Sequence, residues 1–129
     1  MERQRYTSGS PWEESVGFSR AVRVGGTIHL AGTLDTDERG KPVGSDAYEQ
    51  ACNIFRKFER VLSQAGCTLD DIVRTRMFIV RLEDADEVGR AHKEFLDRAR
   101  PAATMVQVAG FVGEGFLVEI EAEAVASPT

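Results

Sequence analysis

Apolar and polar residues alternate on both sides of Gly25 and Gly26, which is the pattern of β-strands with one buried face. Two adjacent glycines supply the positive φ angles that a two-residue turn needs. We therefore predict a β-hairpin over residues 20–34. Gly32, inside the second strand, indicates a point where another part of the protein comes close to the backbone.

Two segments in the middle of the chain have apolar residues at the three- and four-residue spacing of amphipathic helices. The first covers residues 46–65, and Asp46 followed by Glu49 predicts a capping box at its start. The second covers residues 84–99 and ends before Pro101, which cannot continue a helix. Both helices are long enough to cover one face of a small sheet.

Three further segments have the composition of strands. Residues 72–80 are β-branched and apolar, and residues 103–109 and 116–125 follow the second helix. The glycine-containing segment 112–115 predicts that the last two strands form a hairpin. The resulting order, ββαβαββ, predicts an α+β fold with a mixed sheet and both helices on one of its faces.

The length of 129 residues is that of one domain, and we expect residues 1–129 to form it. The polar N-terminal segment 1–16 contains no strand or helix pattern that we assign, and we expect it to be loosely structured. It also has no apolar core typical of a signal peptide, so the expected location is the cytoplasm.

The predicted sheet has one face that no helix covers. One face of the 72–80 strand carries two arginines and two apolar residues: Arg74, Arg76, Phe78 and Val80. If the carboxylates of the last strand are on the same face of the sheet, the arginines would form cross-strand ion pairs with them. Solvated carboxylates on an open sheet are one interpretation. The mixture with apolar residues favours an oligomer interface instead. The carboxylates concerned are Glu119, Glu121 and Glu123.

The charge balance and the few histidines and cysteines limit the chemistry. A net charge of −5 argues against a nucleic-acid partner, and no apolar run is long enough to cross a membrane. Cys52 and Cys67 lack metal-site spacing, and His29 and His92 are the only histidines. We expect no metal or other cofactor, a buried Cys52 and a partly exposed Cys67.

Four stretches carry a resemblance that covers nearly the whole chain: residues 17–34, 65–88, 100–110 and 117–125. In order and spacing they resemble the Rid family, also called RidA or YjgF, of the L-PSP endoribonuclease superfamily. The resemblance implies a chorismate-mutase-like fold and a homotrimer with a central β-barrel and three small-molecule clefts between subunits. It also implies a cofactor-independent deaminase that hydrolyses reactive enamines and imines to ammonia and a 2-keto acid.

The resemblance also implies which residues form the cleft. In the family an arginine grips the substrate carboxylate and a glutamate activates the attacking water. The glutamate falls on Glu119, but the arginine falls on Ala103. The family's tyrosine, serine and cysteine positions fall on Phe18, Ala31 and Met105.

The remaining cleft positions implied by the resemblance are Gly32 and Thr104, of which Thr104 adds a hydroxyl. The cleft is therefore expected to be larger and more apolar than that of a typical family member. We predict weak or absent deamination of 2-aminoacrylate-type acids and a substrate that is more apolar or lacks the carboxylate. A non-catalytic trimer that binds small ligands is the alternative.

Several residues keep two interpretations. Glu119 is either an acid–base group or an ion-paired wall residue, and His92 is more often a structural histidine than a catalytic one. Arg20, Arg23 or Arg76 could replace the missing arginine from a neighbouring subunit, although none occupies the matching position. The acidic chain argues against ribonuclease activity, which would need a phosphate-binding surface.

Overall fold

Six strands and three helices make up the protein, whose computed structural model describes residues 1–127. Short 3₁₀ turns at Leu69–Asp71 and Leu82–Asp84 lead into the fourth strand and the third helix. In chain order the elements are β1 (Arg3–Tyr6), α1 (Pro11–Val16), β2 (Ala21–Val24), β3 (Thr27–Thr33), α2 (Ala47–Gln64), β4 (Ile72–Ile79), α3 (Ala85–Leu96), β5 (Ala102–Gln107) and β6 (Val118–Val125).

All six strands belong to one mixed sheet in the order β1-β2-β3-β6-β4-β5. Only β4 and β5 run parallel, because α3 connects them as a crossover. Helices α2 and α3 pack on the same face of this sheet around one apolar core. The predicted α+β fold with a mixed sheet and two helices on one face is confirmed.

The predicted hairpin between the last two strands is wrong. β6 lies between β3 and β4, and β5 pairs only with β4 at the edge of the sheet. The physical reason is burial: β6 has four fully covered side chains and suits a central position, whereas β5 is mostly exposed. The segment 112–115 is therefore part of a longer connection that passes the end of β4.

The N-terminal segment 1–16 is structured, contrary to the expectation of a loose segment. β1 pairs with β2, and α1 begins at a Ser10 cap with Pro11 in its first turn. Serine followed by proline is a helix-start signal that the sequence contains. Cys67 is also a correction, because it is as fully buried as Cys52.

The cap of α2 agrees with the sequence in part. The Asp46 side chain accepts a hydrogen bond from the backbone N–H of Glu49, as predicted. The Glu49 carboxylate binds Ser45 instead of returning to Asp46, so the box is not reciprocal. Gly66 ends the helix with φ of 74°, a left-handed conformation that favours glycine.

The sheet face opposite α2 and α3, here called the open face, carries the charged side chains of β4 and β6. Arg76 Nη1 lies 2.9 Å from Glu123 Oε1 and 3.5 Å from Glu121 Oε1. The arginines and glutamates therefore share a face, as the alternation predicted. The side chains that β6 turns towards the helices are Val118, Ile120, Ala122 and Ala124.

Candidate functional site

Glu119 lies on the open face between two neighbours of very different size. On β4 its cross-strand partner is Phe78. On the other side is Gly32, where a Cβ atom would lie 3.3 Å from Glu119 Cδ. The close approach predicted at Gly32 is confirmed, and the group that approaches is the candidate catalytic carboxyl.

A β-bulge in β3 brings this backbone to Glu119. Leu30 pairs with Ala122 and Thr33 pairs with Ile120, so β3 has one residue more than β6 between these pairs. The extra residue lies in the segment of Ala31 and Gly32. Bulges are frequent beside active sites, where they redirect backbone and side chains.

Arg20 joins the bulge to the N-terminal segment. Its Nη1 donates to the carbonyl oxygen of Gly32 at 2.9 Å and to Thr33 Oγ1 at 3.1 Å. Its Nε lies 3.6 Å from Glu13 Oε2, and its guanidinium carbon lies 5.3 Å from the centre of the Phe18 ring. Four of the predicted site residues therefore lie around one arginine: Phe18, Ala31, Gly32 and Glu119.

The carboxyl group of Glu119 is suited to proton transfer. Burial raises the pKa of Glu119 above its ordinary value, the neighbouring Glu121 raises it further, and Arg20 opposes the rise. Burial and the neighbouring negative charge both favour the protonated form more than in an exposed glutamate.

The other three predicted site residues lie on β5. Ala103 pairs with Thr75, and Met105 pairs with Met77, whose side chains are buried under the helices. Ala103 and Met105 therefore point to the helix-covered side of the sheet edge. Thr104 points to the open face.

Within one chain the two groups of site residues are apart. β4 separates β6 from β5, which corresponds to about 10 Å between the outer two strands. Ala103 and Thr104 are exposed at the edge of the sheet. One chain therefore does not bring Ala103 to Glu119.

The other candidate residues have partners of their own. Arg23 donates to the carbonyl oxygen of Ala65 at 2.6 Å on the helix-covered side, and Arg76 is bound to the open-face glutamates. His92 Nε2 lies 2.9 Å from Thr75 Oγ1, and burial lowers the pKa of His92. Burial thus favours the neutral form of the imidazole, which agrees with a structural role for His92.

Two of the concave regions in the described part of the chain lie near candidate residues. One of about 410 Å³ lies at the N-terminal segment and includes Tyr6, Glu13 and Phe18 in its wall. One of about 190 Å³ lies beside α3 and includes Gly89 and His92. The first adjoins the Arg20 contacts and so extends the candidate site.

Glu13 is a residue of this region that the sequence did not single out. It is 7% exposed and accepts hydrogen bonds from Thr7 Oγ1 at 2.7 Å and from the hydroxyl and amide of Ser8. The helix-start signal at Ser10 and Pro11 could have located α1. Nothing in the sequence indicated that Glu13 would be buried.

Residues 1–127 contain no group of three or more histidine, cysteine, aspartate or glutamate side chains placed to hold a metal ion. None of the helices in this part of the chain has the length and apolar character needed to span a membrane.

Comparison with known proteins identifies similar chains. Residues 10–126 match the family described as Endoribonuclease L-PSP. An uncharacterized protein of Streptomyces coelicolor is 41% identical over 123 residues, which cover 94% of this chain and 90% of that protein. The human 2-iminobutanoate/2-iminopropanoate deaminase is 30% identical over 112 residues, covering 86% of this chain and 81% of the enzyme.

Solved structures agree with the sequence relatives. Rv2704 of Mycobacterium tuberculosis, a member of the YjgF/YER057c/UK114 family, superimposes with a TM-score of 0.88 at 39% sequence identity. The superposition covers 97% of this chain and 100% of Rv2704.

Proposed function

Because the chain belongs to the Endoribonuclease L-PSP family, the family of the Rid and YjgF proteins, we propose that it is a cytoplasmic homotrimer whose clefts between subunits bind a small molecule that lacks a carboxylate. Each subunit is one Rid-type domain covering residues 1–129. Deamination of 2-iminobutanoate and 2-iminopropanoate, the reaction named for some relatives, is weak or absent.

The observation that carries this proposal is the contrast between the two groups of site residues. Glu119 offers a half-buried carboxyl, whereas β5 offers Ala103, Thr104 and Met105 and has no charged residue. Arg74 of β4 reaches this strand on the open face, where its Nη2 donates to Thr104 Oγ1 at 2.8 Å. A substrate carboxylate placed against Ala103, on the other side of the strand, would lose water without gaining a cation from β5 itself. A neutral or cationic molecule has no such penalty beside Glu119.

The distance between the same two groups supports a site completed by a neighbouring subunit, as the proposed trimer would provide. The edge position of β5 and the uncovered face of β6 leave both available to a neighbouring subunit. Apolar side chains such as Phe78 among paired charges on the open face also favour an interface. The two cysteines are unpaired, which agrees with a reducing compartment.

In the chemistry we propose, Glu119 transfers a proton to or from a neutral imine or enamine and orients the attacking water. The bulge at Gly32 holds the carboxyl from one side, and Phe18 supplies an apolar wall. The reaction needs no cofactor, because water adds to the C=N bond and ammonia or an amine leaves.

A matched pair of stable analogues tests the substrate class. We expect 2-oxobutanoate to leave the unfolding temperature unchanged, while Ala103→Arg gains binding of this acid because a new bidentate pair is worth about 1.5–3 kcal/mol. The neutral 2-oxobutanamide should not gain from the substitution. Calorimetric titration and thermal unfolding of both proteins with both compounds measure the difference.

Ala103→Gln is the control, since it adds length at an exposed position without charge. Tight binding of 2-oxobutanoate by the unchanged protein would contradict the proposal, because the carboxylate would then have another anchor.

The alternative is a trimer that binds a small ligand without turnover. The position of His92 favours this alternative, because its imidazole is bound to Thr75. Glu119 is then the one acid–base candidate among the predicted site residues. Once a ligand is found, Glu119→Gln distinguishes the two functions: turnover is lost if the protein is an enzyme, while binding persists if it is a binding protein.

A further inference from the structure

The N-terminal segment is connected to Glu119 through a buried ion pair. Glu13 accepts hydrogen bonds from Thr7 and Ser8, and its carboxylate faces Arg20 at 3.6 Å. Burial acts to raise the pKa of Glu13, but the hydrogen bonds from Ser8 and Thr7 hold this pKa below its ordinary value. Glu13 therefore stays ionised and fixes one edge of the Arg20 guanidinium.

The other edge of the guanidinium holds the bulge. Arg20 Nη1 binds Gly32 O at 2.9 Å and Thr33 Oγ1 at 3.1 Å, and the arginine side chain is only 13% exposed. The backbone amide of Ala31 in turn donates to the carbonyl oxygen of Arg20 at 2.9 Å. Arg20 is thus fixed to the carbonyl group of Gly32, and the Glu119 carboxyl lies against the Cα of the same residue.

We propose that Glu13 and Arg20 are positioning residues of the candidate site: they hold the Ala31–Thr33 bulge against Glu119, and through Gly32 they keep the Arg20 guanidinium one residue away from its carboxyl group. This inference rests on the proposed function only in taking Glu119 as the working group. Because Nη1 is bound to the bulge and Nε faces Glu13, Arg20 has a positioning role in this proposal and not that of a substrate anchor.

The other charged groups that face Glu119 do not supply this charge. Glu121, on the same strand, is negative, and Arg76 of β4 is bound to Glu121 and Glu123. Phe78, the cross-strand partner on β4, is apolar. Arg20 is the cation that opposes the effects of burial and of Glu121 on the pKa of Glu119. Its loss would favour the protonated carboxyl, which can give a proton but not accept one.

Carbon-13 NMR titration of the glutamate carboxyl groups tests the proposal, with the Glu119 signal assigned by its absence in Glu119→Gln. We expect Arg20→Gln to raise the pKa of Glu119 by roughly 0.5–1 unit, because an opposite charge nearby stabilises the ionised form. Arg20→Lys should raise it less, since the positive charge remains. Amide exchange at the bulge should become faster in both variants.

Arg23→Gln and Arg23→Lys are the matched controls. Arg23 is on the neighbouring strand but binds Ala65 on the other side of the sheet, so both changes should leave the pKa of Glu119 unchanged. Circular dichroism confirms that each variant is folded. If Arg20→Gln does not fold, the comparison of Arg20→Lys with Arg23→Lys answers the same question.

The proposal is overturned if the Arg20 variants leave the pKa of Glu119 where the Arg23 variants leave it. A structural role alone would destabilise the protein and loosen the bulge without a difference between lysine and glutamine in the titration. The titration needs neither ligand nor turnover, so its outcome is independent of the analogue-binding test of the proposed function.

Discussion

Ammonia release from freshly generated 2-iminopropanoate is expected to be about 100- to 1,000-fold slower with this protein than with an arginine-bearing member of the family, the usual effect of losing one preorganised charge-stabilising group. The reason is the composition of β5, which presents Ala103 where the resemblance implies the arginine that binds the substrate carboxylate. The lost group would also be the substrate anchor, so we expect the loss in kcat/KM to be at least as large as the loss in kcat.

The assay compares both proteins at equal subunit concentration with the imine generated in the same mixture, and spontaneous hydrolysis is subtracted. The Ala103→Arg variant is the informative control, because it recovers part of the activity only if Glu119 and the rest of the cleft are competent. A rate for the unchanged protein close to that of the arginine-bearing relative would contradict the proposal that Ala103 removes the carboxylate anchor.

Replacement of Phe55 by alanine is expected to lower the free energy of unfolding by about 3–5 kcal/mol, the usual range for removing a buried phenylalanine. Phe55 on α2 is fully buried and joins both helices, with its ring centre 5.5 Å from Phe95 and 5.8 Å from His92 of α3. The cavity left behind would lie between α2 and α3, where neither helix can move without losing its contacts with the sheet.

Urea unfolding followed by circular dichroism measures this loss. Val43→Ala is the control, because Val43 is 62% exposed and such surface changes usually alter stability by less than about 0.5 kcal/mol. Equal losses for Phe55→Ala and Val43→Ala would mean that the core between the helices is packed differently.

The sequence predicts the central part of this fold well, because periodic burial determines it. Alternation along β6 identified which side chains face the helices, and the spacing of apolar residues located α2 and α3. Gly32 is predicted as a point of close approach because a glycine inside a strand leaves space for a neighbouring group. The Glu119 carboxyl occupies that space.

Long-range strand order could not be obtained in the same way. Consecutive strands often pair, and this favours a hairpin of β5 and β6. In the structure β6 instead lies in the centre of the sheet, between β3 and β4. The role of α1 also escaped prediction. The burial of Glu13 depends on contacts with Thr7, Ser8 and Arg20 that have no periodic pattern in the sequence.

The sequence predicts the residues of the candidate site but not which of them lie together in one chain. Resemblance to the Rid family named Phe18, Ala31 and Gly32, and the structure gathers them with Glu119 around Arg20. Ala103 lies on β5, which β4 separates from the strand that carries Glu119. We therefore propose that a second subunit completes each cleft.

Sedimentation equilibrium of the purified protein at micromolar concentration tests this proposal most directly. The chain has a mass of 14.2 kDa, and we predict a single species with the mass of three chains over the whole concentration range. A species of one chain would contradict the account, because the β5 strand and Glu119 would then have no means of forming a common site.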